Sequence, residues 1–338
     1  MKNEPVSVQT ADWAQRLPHS VKPRPMEKGD ETRAEWMVLI NPMAGNRKGR
    51  DDWGKVCLWL EHYHLPYQHH FTEYPGHSIE LTQDFLRQGY RKFITAGGDG
   101  SLNETVNAIF TQTAVDPKGV TLAMIPVGTG NDWVRTFKIP FDYEAAIQII
   151  SQGKTLRHDI GRVFYHVRGE EKSWYFINMC GMGLDAEVNK KVAADRERDH
   201  LGHLKYQYHI FSALMGYTPT RMTLIIDGKE IQHEVLSLAL GIAQYSGGGM
   251  KQLPFAVPDD GVFDLSIVKK ATRLKVMRSV HKIYDGSFVE LPEVSTYAGK
   301  AIQIKSEPNC LIEADGQILG ESPARFEIIP QALNVIIA

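Results

Sequence analysis

The tetrapeptide Gly97-Gly98-Asp99-Gly100 follows the apolar run Ile94-Thr95-Ala96 directly, and Ser101-Leu102-Asn103-Glu104-Thr105 comes next. A buried strand running into a glycine loop and then a helix is a phosphate-binding arrangement. Glycines let the backbone approach a ligand, and a helix start offers free N–H groups and positive dipole. Ser101 and Glu104 have capping-box spacing, which predicts Ser101 as the N-cap. Asp99 repels phosphate, so its chemistry there is to hold a Mg2+ that bridges phosphates or to accept a proton from an attacking hydroxyl. The competing reading is a tight turn in which Asp99 is only a turn residue.

A second loop, Val127-Gly128-Thr129-Gly130-Asn131-Asp132, also ends an apolar run and brings another carboxylate. A third, Asn41-Pro42-Met43-Ala44-Gly45-Asn46-Arg47-Lys48-Gly49-Arg50, adds positive charge that suits phosphate or plain solvent. Neither GxxxxGK[ST] nor a GxGxxG before a strand-borne Lys is present, so these are not the loops of P-loop NTPases or protein kinases. In a doubly wound sheet, loops after adjacent strands share one crevice, which predicts Asp99 and Asp132 beside one ligand. Two acids near one polyphosphate imply a metal ion.

The elements that must position these loops are legible as apolar periods. Strands are predicted at 36–40, 66–72, 92–96 and 121–125, with helices over 50–64, 77–88 and 102–112 between them; this alternation indicates a doubly wound parallel sheet. After about residue 156 strand-like runs dominate, at 162–167, 173–180, 221–226, 234–243, 262–268, 301–305 and 310–314. Asp227-Gly228 marks a hairpin, and helices fit 186–194, 202–215 and 273–283. The predicted layout is an N-terminal arm over 1–33, an α/β domain over 34–155, a mainly antiparallel β-sandwich over 156–328, and a last strand, 329–338, returning toward the first domain.

Composition fits an ordinary folded chain: 338 residues, 43% hydrophobic and 23% charged, with a formal net charge of -2. That balance argues against nucleic acid as a main partner. No run approaches the roughly 18 apolar residues of a spanning helix, and the start lacks the apolar core of a secretion signal, so a cytoplasmic location is expected. Cys57, Cys180 and Cys310 read as free thiols, the first two in the core. His62, His64, His69 and His70 lack the partners of a metal site and read as a solvated helix end and turn.

Six motifs in order resemble the diacylglycerol kinase and sphingosine kinase catalytic family, particularly its bacterial members: Asn41-Pro42-x-x-Gly45, Gly97-Gly98-Asp99-Gly100, Gly128-Thr129-x-Asn131-Asp132, Gly181-x-Gly183-x-Asp185-Ala186, Asp259-Asp260-Gly261-x-Phe263 and Asp315-Gly316. The resemblance runs from Trp36 to the end. It implies ATP-dependent phosphorylation of a lipid hydroxyl, such as that of diacylglycerol, in a cleft between the two domains. By motif, ATP would be bound by Asn41, Pro42, Met43, Ala44 and Gly45, by Thr72, by Gly97, Gly98, Asp99, Gly100, Ser101, Leu102, Asn103 and Glu104, and by Gly128, Thr129 and Asn131. Asp99 and Asp132 would organise catalytic Mg2+, and a structural Mg2+ would take the Asp260 carboxylate with the carbonyls of Val257 and Val262. The partner implied is a lipid at a membrane surface, hence peripheral membrane association through residues near 206–217 or 245–255. Tyr208, Ile210, Phe211, Leu214 and Met215 nevertheless read as core. The sequence leaves oligomeric state open, a homodimer included.

Two positions depart from the family pattern. Ser101 stands for a Thr and keeps the hydroxyl. Where the family has Asp-Gly-Glu this chain has Asp315-Gly316-Gln317, and Gln cannot accept a proton at useful pH. Asp315 or Asp99 must then take that role, or the protein is a catalytically degenerate nucleotide- or lipid-binding protein. An NAD kinase-like enzyme is the other alternative, since it shares the Gly-Gly-Asp-Gly loop and the two-domain plan.

Overall fold

The computed structural model describes residues 35–196 and 203–338; the predicted N-terminal arm lies outside them. The first domain is β1 (Trp36–Ile40), α1 (Ala44–Asp51), α2 (Trp53–His62), β2 (Tyr67–Phe71), α3 (His77–Arg87), β3 (Lys92–Gly97), α4 (Asp99–Thr111), β4 (Thr121–Pro126), α5 (Asp132–Thr136) and α6 (Tyr143–Gln152). Its strands are parallel, in the order β4-β3-β1-β2. Successive residues of β1 enter different cores, as the two-residue strand period requires. Met37 and Leu39 pack with Phe85, Leu102 and Val106, whereas Trp36, Val38 and Ile40 pack with Trp53, Val56, Leu60 and Ile147. Helices therefore cover both faces, which explains why β1 is apolar throughout. Ile40 is level with Ala96 of β3, and Ala96 with Ile125 of β4, so the three loops that follow start side by side.

The second domain contains β5 (Thr155–Val167), β6 (Glu170–Phe176), β7 (Met179–Gly183), α7 (Leu184–Arg196), α8 (His203–Gly216), β8 (Thr220–Ile226), β9 (Lys229–Gly241), β10 (Phe263–Lys269), α9 (Arg273–Ser279), α10 (Lys282–Asp285), β11 (Val294–Gly299), β12 (Ala301–Glu307), β13 (Leu311–Ala314) and β14 (Gln317–Ile336). Strand pairing among these is antiparallel and encloses a separate apolar core that includes Phe176, Leu224, Phe263 and Phe326. The 20-residue β14 is antiparallel to β5 along much of its length. At its far end Asn334 and Val335 pair in parallel with Thr121 and Leu122 of β4, so one continuous hydrogen-bonded network joins the two domains.

Several boundaries differ from expectation. The helix predicted over 50–64 is two helices that meet at Asp52. The run 173–180 divides into β6 and β7 because Ile177 and Asn178 turn away to satisfy a buried carboxylate described below. The helix expected over 273–283 breaks into α9 and α10. β11 was not predicted, nor was α6, although Asp142 as N-cap and Gly153 as C-cap bound it. Phe211 and Met215, expected in the core, are 46% and 45% exposed, while Leu214 is buried; the side chains of Tyr208 and Ile210 lie outside the described residues.

Candidate active site

The three loops meet backbone to backbone. A Cβ on Gly128 would stand 2.5 Å from the Gly98 Cα, and one on Gly45 would stand 2.1 Å from the Val127 carbonyl oxygen. Part of the demand for glycine thus comes from loop against loop, whereas Gly100 is exposed with nothing near its missing side chain. Asn41 ties its own loop to the one that follows Ala96: its amide donates to Ser101 Oγ at 3.2 Å, and its Oδ1 accepts from the Met43 N–H. Thr72 joins the same edge, with both N–H and hydroxyl donating to the Ile40 carbonyl. Met43 and Thr129 are exposed, while Pro42 is half-buried and Ala44 and Leu102 are buried.

The capping box does not form. Helix α4 begins at Asp99 with Gly98 as N-cap, three residues earlier than predicted. Ser101 is already helical and bonds to Asn41, and Glu104 accepts the Gly76 N–H at 3.0 Å. Long-range partners have taken both side chains from the local motif.

Asp99 and Asp132 come together. Asp99 accepts the N–H groups of Asp132 and Trp133, each at 3.1 Å, and so caps the short helix α5 from a neighbouring loop. Asp132 accepts those of Gly248 and Gly249 at 2.8 and 2.7 Å. One oxygen of each acid lies within 3.3 Å of the place a Cβ would occupy on Gly130. Burial pushes the Asp99 carboxyl up. Burial, then the Asp99 charge, pushes Asp132 up to about 7. Arg135 approaches Asp132 at 3.4 Å and compensates only part of this charge. Beside them the buried Asn131 Oδ1 has no hydrogen-bond partner. Hard oxygen donors with excess negative charge are the donor set of Mg2+, so these residues fit a divalent cation.

The second domain reaches this site through a hairpin. Asp315 and Gly316, with φ of 47° and 84°, form the two-residue turn between β13 and β14. The Asp315 carboxylate, 8% exposed, accepts the N–H groups of Ile177, Asn178 and Met179 and the Asn103 amide. Those distances run from 2.7 to 3.1 Å. Four donors hold it as a clamp between α4 and the β6–β7 turn, and burial still pushes its carboxyl up to about 6. Gln317 stands exposed at the tip.

Sequence reasoning missed Glu313 and gave Asp185 no role. Glu313 is 5% exposed and accepts the Gly316 N–H at 2.9 Å. A Cβ on Gly181 would touch both acids, 2.6 Å from Glu313 Oε1 and 3.0 Å from Asp185 Cβ. Burial, then the Asp185 charge, pushes Glu313 from an ordinary 4.5 up to about 8. The folded form then holds its proton more tightly than the unfolded chain, so this group costs stability as pH rises from about 4.5 to about 8. Glu313→Gln, which mimics the protonated acid, is expected to flatten that slope by a few kcal/mol in order of magnitude. Thermal melts at pH 5 and pH 8 check this; an unchanged slope would place the titration elsewhere.

At the Asp-Asp-Gly turn, Asp260 accepts the Val262 N–H at 3.0 Å, and Val257 is exposed. A residue not singled out in the sequence, the buried Asp159, organises the turn by accepting the N–H groups of Gly261 and Gln331, both at 2.6 Å. Among the described residues no cluster of three or more His, Cys, Asp or Glu has metal-holding geometry. Excess negative charge is nonetheless present: burial, then Asp260, pushes Asp264 up to about 6. A cavity of about 470 Å³ opens there, lined by Asp259, Asp260, Lys300 and Pro330 among others. The Asp260 carboxylate with nearby carbonyls is chemically able to hold a cation that keeps its waters.

A doubly wound α/β domain hydrogen-bonded into an antiparallel sandwich, with paired acids on glycine loops facing the junction, defines a two-domain phosphotransferase-type architecture. Residues 35–163 match the diacylglycerol kinase catalytic domain, and residues 178–337 match the YegS C-terminal NAD kinase beta sandwich-like domain. The chain belongs to the diacylglycerol kinase catalytic family, in the two-domain form of its bacterial relatives. It is 28% identical over 298 residues to a diacylglycerol kinase of Staphylococcus carnosus, covering 88% of this chain and 93% of that one. To the Staphylococcus saprophyticus diacylglycerol kinase it is 29% identical with the same coverage. A crystal structure of a diacylglycerol kinase from Bacillus anthracis superposes with a TM-score of 0.67 at 20% identity, covering 90% of this chain and 97% of that one. Yeast NADH kinase superposes at 0.51 and 13% identity, over 90% and 83%. Both structures share the fold.

Proposed function

We propose that this protein is an ATP- and Mg2+-dependent lipid kinase that phosphorylates diacylglycerol to phosphatidic acid, working from the cytoplasmic face of a membrane. The observation that carries the reading is the Asp99–Asp132 pair, held by backbone N–H groups from both domains beside the open edge at Gly100. Asn41 to Gly45, Thr72, Gly97 to Glu104, and Gly128, Thr129 and Asn131 are the residues that would bind the nucleotide. Asp99 and Asp132 would hold Mg2+, which would supply positive charge to neutralise the phosphoryl oxygens. The lipid oxygen forms a bond to the γ-phosphorus, the bridging bond to the leaving ADP breaks, and the hydroxyl proton passes to a carboxylate. Asp99 is assigned that last step by position, because it opens α4 beside the exposed Gly100, where its oxygens accept the N–H groups of Asp132 and Trp133. The four-donor Asp315 keeps the two domains in register instead.

Among the described residues no helix is long and apolar enough to cross a membrane. Purified protein incubated with Mg2+, γ-labelled ATP and mixed-lipid vesicles is expected to transfer label to diacylglycerol. Label in another lipid would reassign the acceptor, and label only in NAD would favour the NAD kinase-like alternative. The degenerate alternative rests on Gln317 and is tested separately. Because a loose transition state asks little of a base, Gln317→Glu is expected to change turnover less than about tenfold. Its exposed place predicts a stability change within about 0.5 kcal/mol. A gain in kcat of two orders of magnitude or more would show that the native chain is catalytically impaired.

A further inference from the structure

One face of the second domain is built for contact outside the chain. Helices α9 and α10 contain no buried residue. Val276 packs inward on the cluster of Leu184, Val188 and Leu214. Outward, Leu274 is 57% exposed, Met277 45%, Val280 40% and Tyr284 37%. Phe211 and Met215 of α8 and Phe255 are exposed beside them. The pieces adjoin: Val276 and Leu214 share one cluster, the Lys251 N–H donates to the Ile283 carbonyl at 2.7 Å, and Pro254 lies against Gly286. Apolar exposure this concentrated marks a contact surface.

Charge selects the occupant. Residues 269–285 hold Lys269, Lys270, Arg273, Lys275, Arg278 and Lys282 against one acid, Asp285 at the end of α10, in a chain of net charge -2. Lys270 and Lys275 pair with Glu234 and Glu293; among the described residues Arg273, Arg278 and Lys282 pair with no carboxylate. Two copies meeting symmetrically through this face would set these cations against one another. Apolar side chains interleaved with cations match an anionic lipid surface, where tails take the first and headgroups the second. The face also leads to the site, since the same loop that touches α10 gives Asp132 its Gly248 and Gly249 N–H groups.

We propose that α9 and α10, with Phe211, Met215 and Phe255 at their margin, seat the protein on an anionic bilayer. The inference deepens the lipid-kinase reading and rests on it for its purpose, but vesicle binding is measured without ATP and so stands or falls separately. Native protein is expected to sediment with vesicles of phosphatidylcholine plus phosphatidylglycerol, to sediment poorly with phosphatidylcholine alone, and to weaken with salt. The triple variant Arg273→Gln, Arg278→Gln, Lys282→Gln should lower partitioning about 100-fold, at roughly fivefold per cation. Leu274→Ser with Met277→Ser should lower it about tenfold. Both variants should keep native melting and native turnover on a short-chain diacylglycerol dispersed in water. Native-like sedimentation of both variants, or no preference of the native protein for anionic vesicles, overturns the proposal. Variants that shift a monomer–dimer equilibrium while sedimenting normally assign the face to a second copy and overturn it too. Selective sedimentation without lipid phosphorylation keeps the docking surface and removes the kinase reading.

Discussion

Asp99→Asn is expected to lower turnover by about 10³-fold or more while the protein stays folded. The carboxylate shares with Asp132 the space beside Gly130, so the variant halves the negative charge available to a divalent cation there. It also removes the group proposed above to take the hydroxyl proton. The effect on stability is smaller because two contributions oppose each other. An amide oxygen can accept only part of what the carboxylate accepts from the Asp132 and Trp133 N–H groups, a loss of about 1 kcal/mol. Removing a charge that helps push Asp132 up to about 7 offsets a similar amount. Label transfer from γ-labelled ATP, with a thermal melt of the same preparation, checks both. Activity within tenfold of native would remove Asp99 from the chemistry.

Asp315→Ala is expected to have the largest effect on folding. It would leave three backbone N–H groups and the Asn103 amide facing a buried space with no acceptor. At about 1–3 kcal/mol for each unsatisfied group, partly relieved by entering water, the loss should exceed about 4 kcal/mol. Asp315→Asn, which keeps one oxygen and turns an NH2 toward the remaining donors, should lose about half as much. The pair separates two roles. If Asp315 is a clamp, both variants lose stability and residual activity follows the folded fraction. An Asp315→Asn protein with native melting and no turnover would instead make this residue the proton acceptor.

Those two residues also show how far the sequence reaches. The loop following Ile94-Thr95-Ala96 and the Asp-Gly turn at 227–228 were readable because turn chemistry is local: a left-handed pair of residues favours Asp-Gly. The doubly wound sheet was readable for a related reason, since strands buried on both faces must be apolar throughout. Ser101 and Glu104 show where local rules end. They match a capping motif, yet the helix starts at Asp99 because Asn41 and Gly76, from other loops, bond the two side chains.

The sequence by itself determined the two-domain plan, the strand–helix alternation of the first domain and the set of loops that face one crevice. Tertiary structure alone decided what the acids do. Asp99 caps a neighbouring helix, Asp132 draws its N–H donors from residues 248 and 249, and Glu313 is pressed against Asp185. It also decided that Leu274 and Met277 face outward although their spacing suits a buried helix. A carboxylate's proton affinity and a helix's exposed side depend on which groups stand within a few ångströms, and those groups lie tens to hundreds of residues away along the chain.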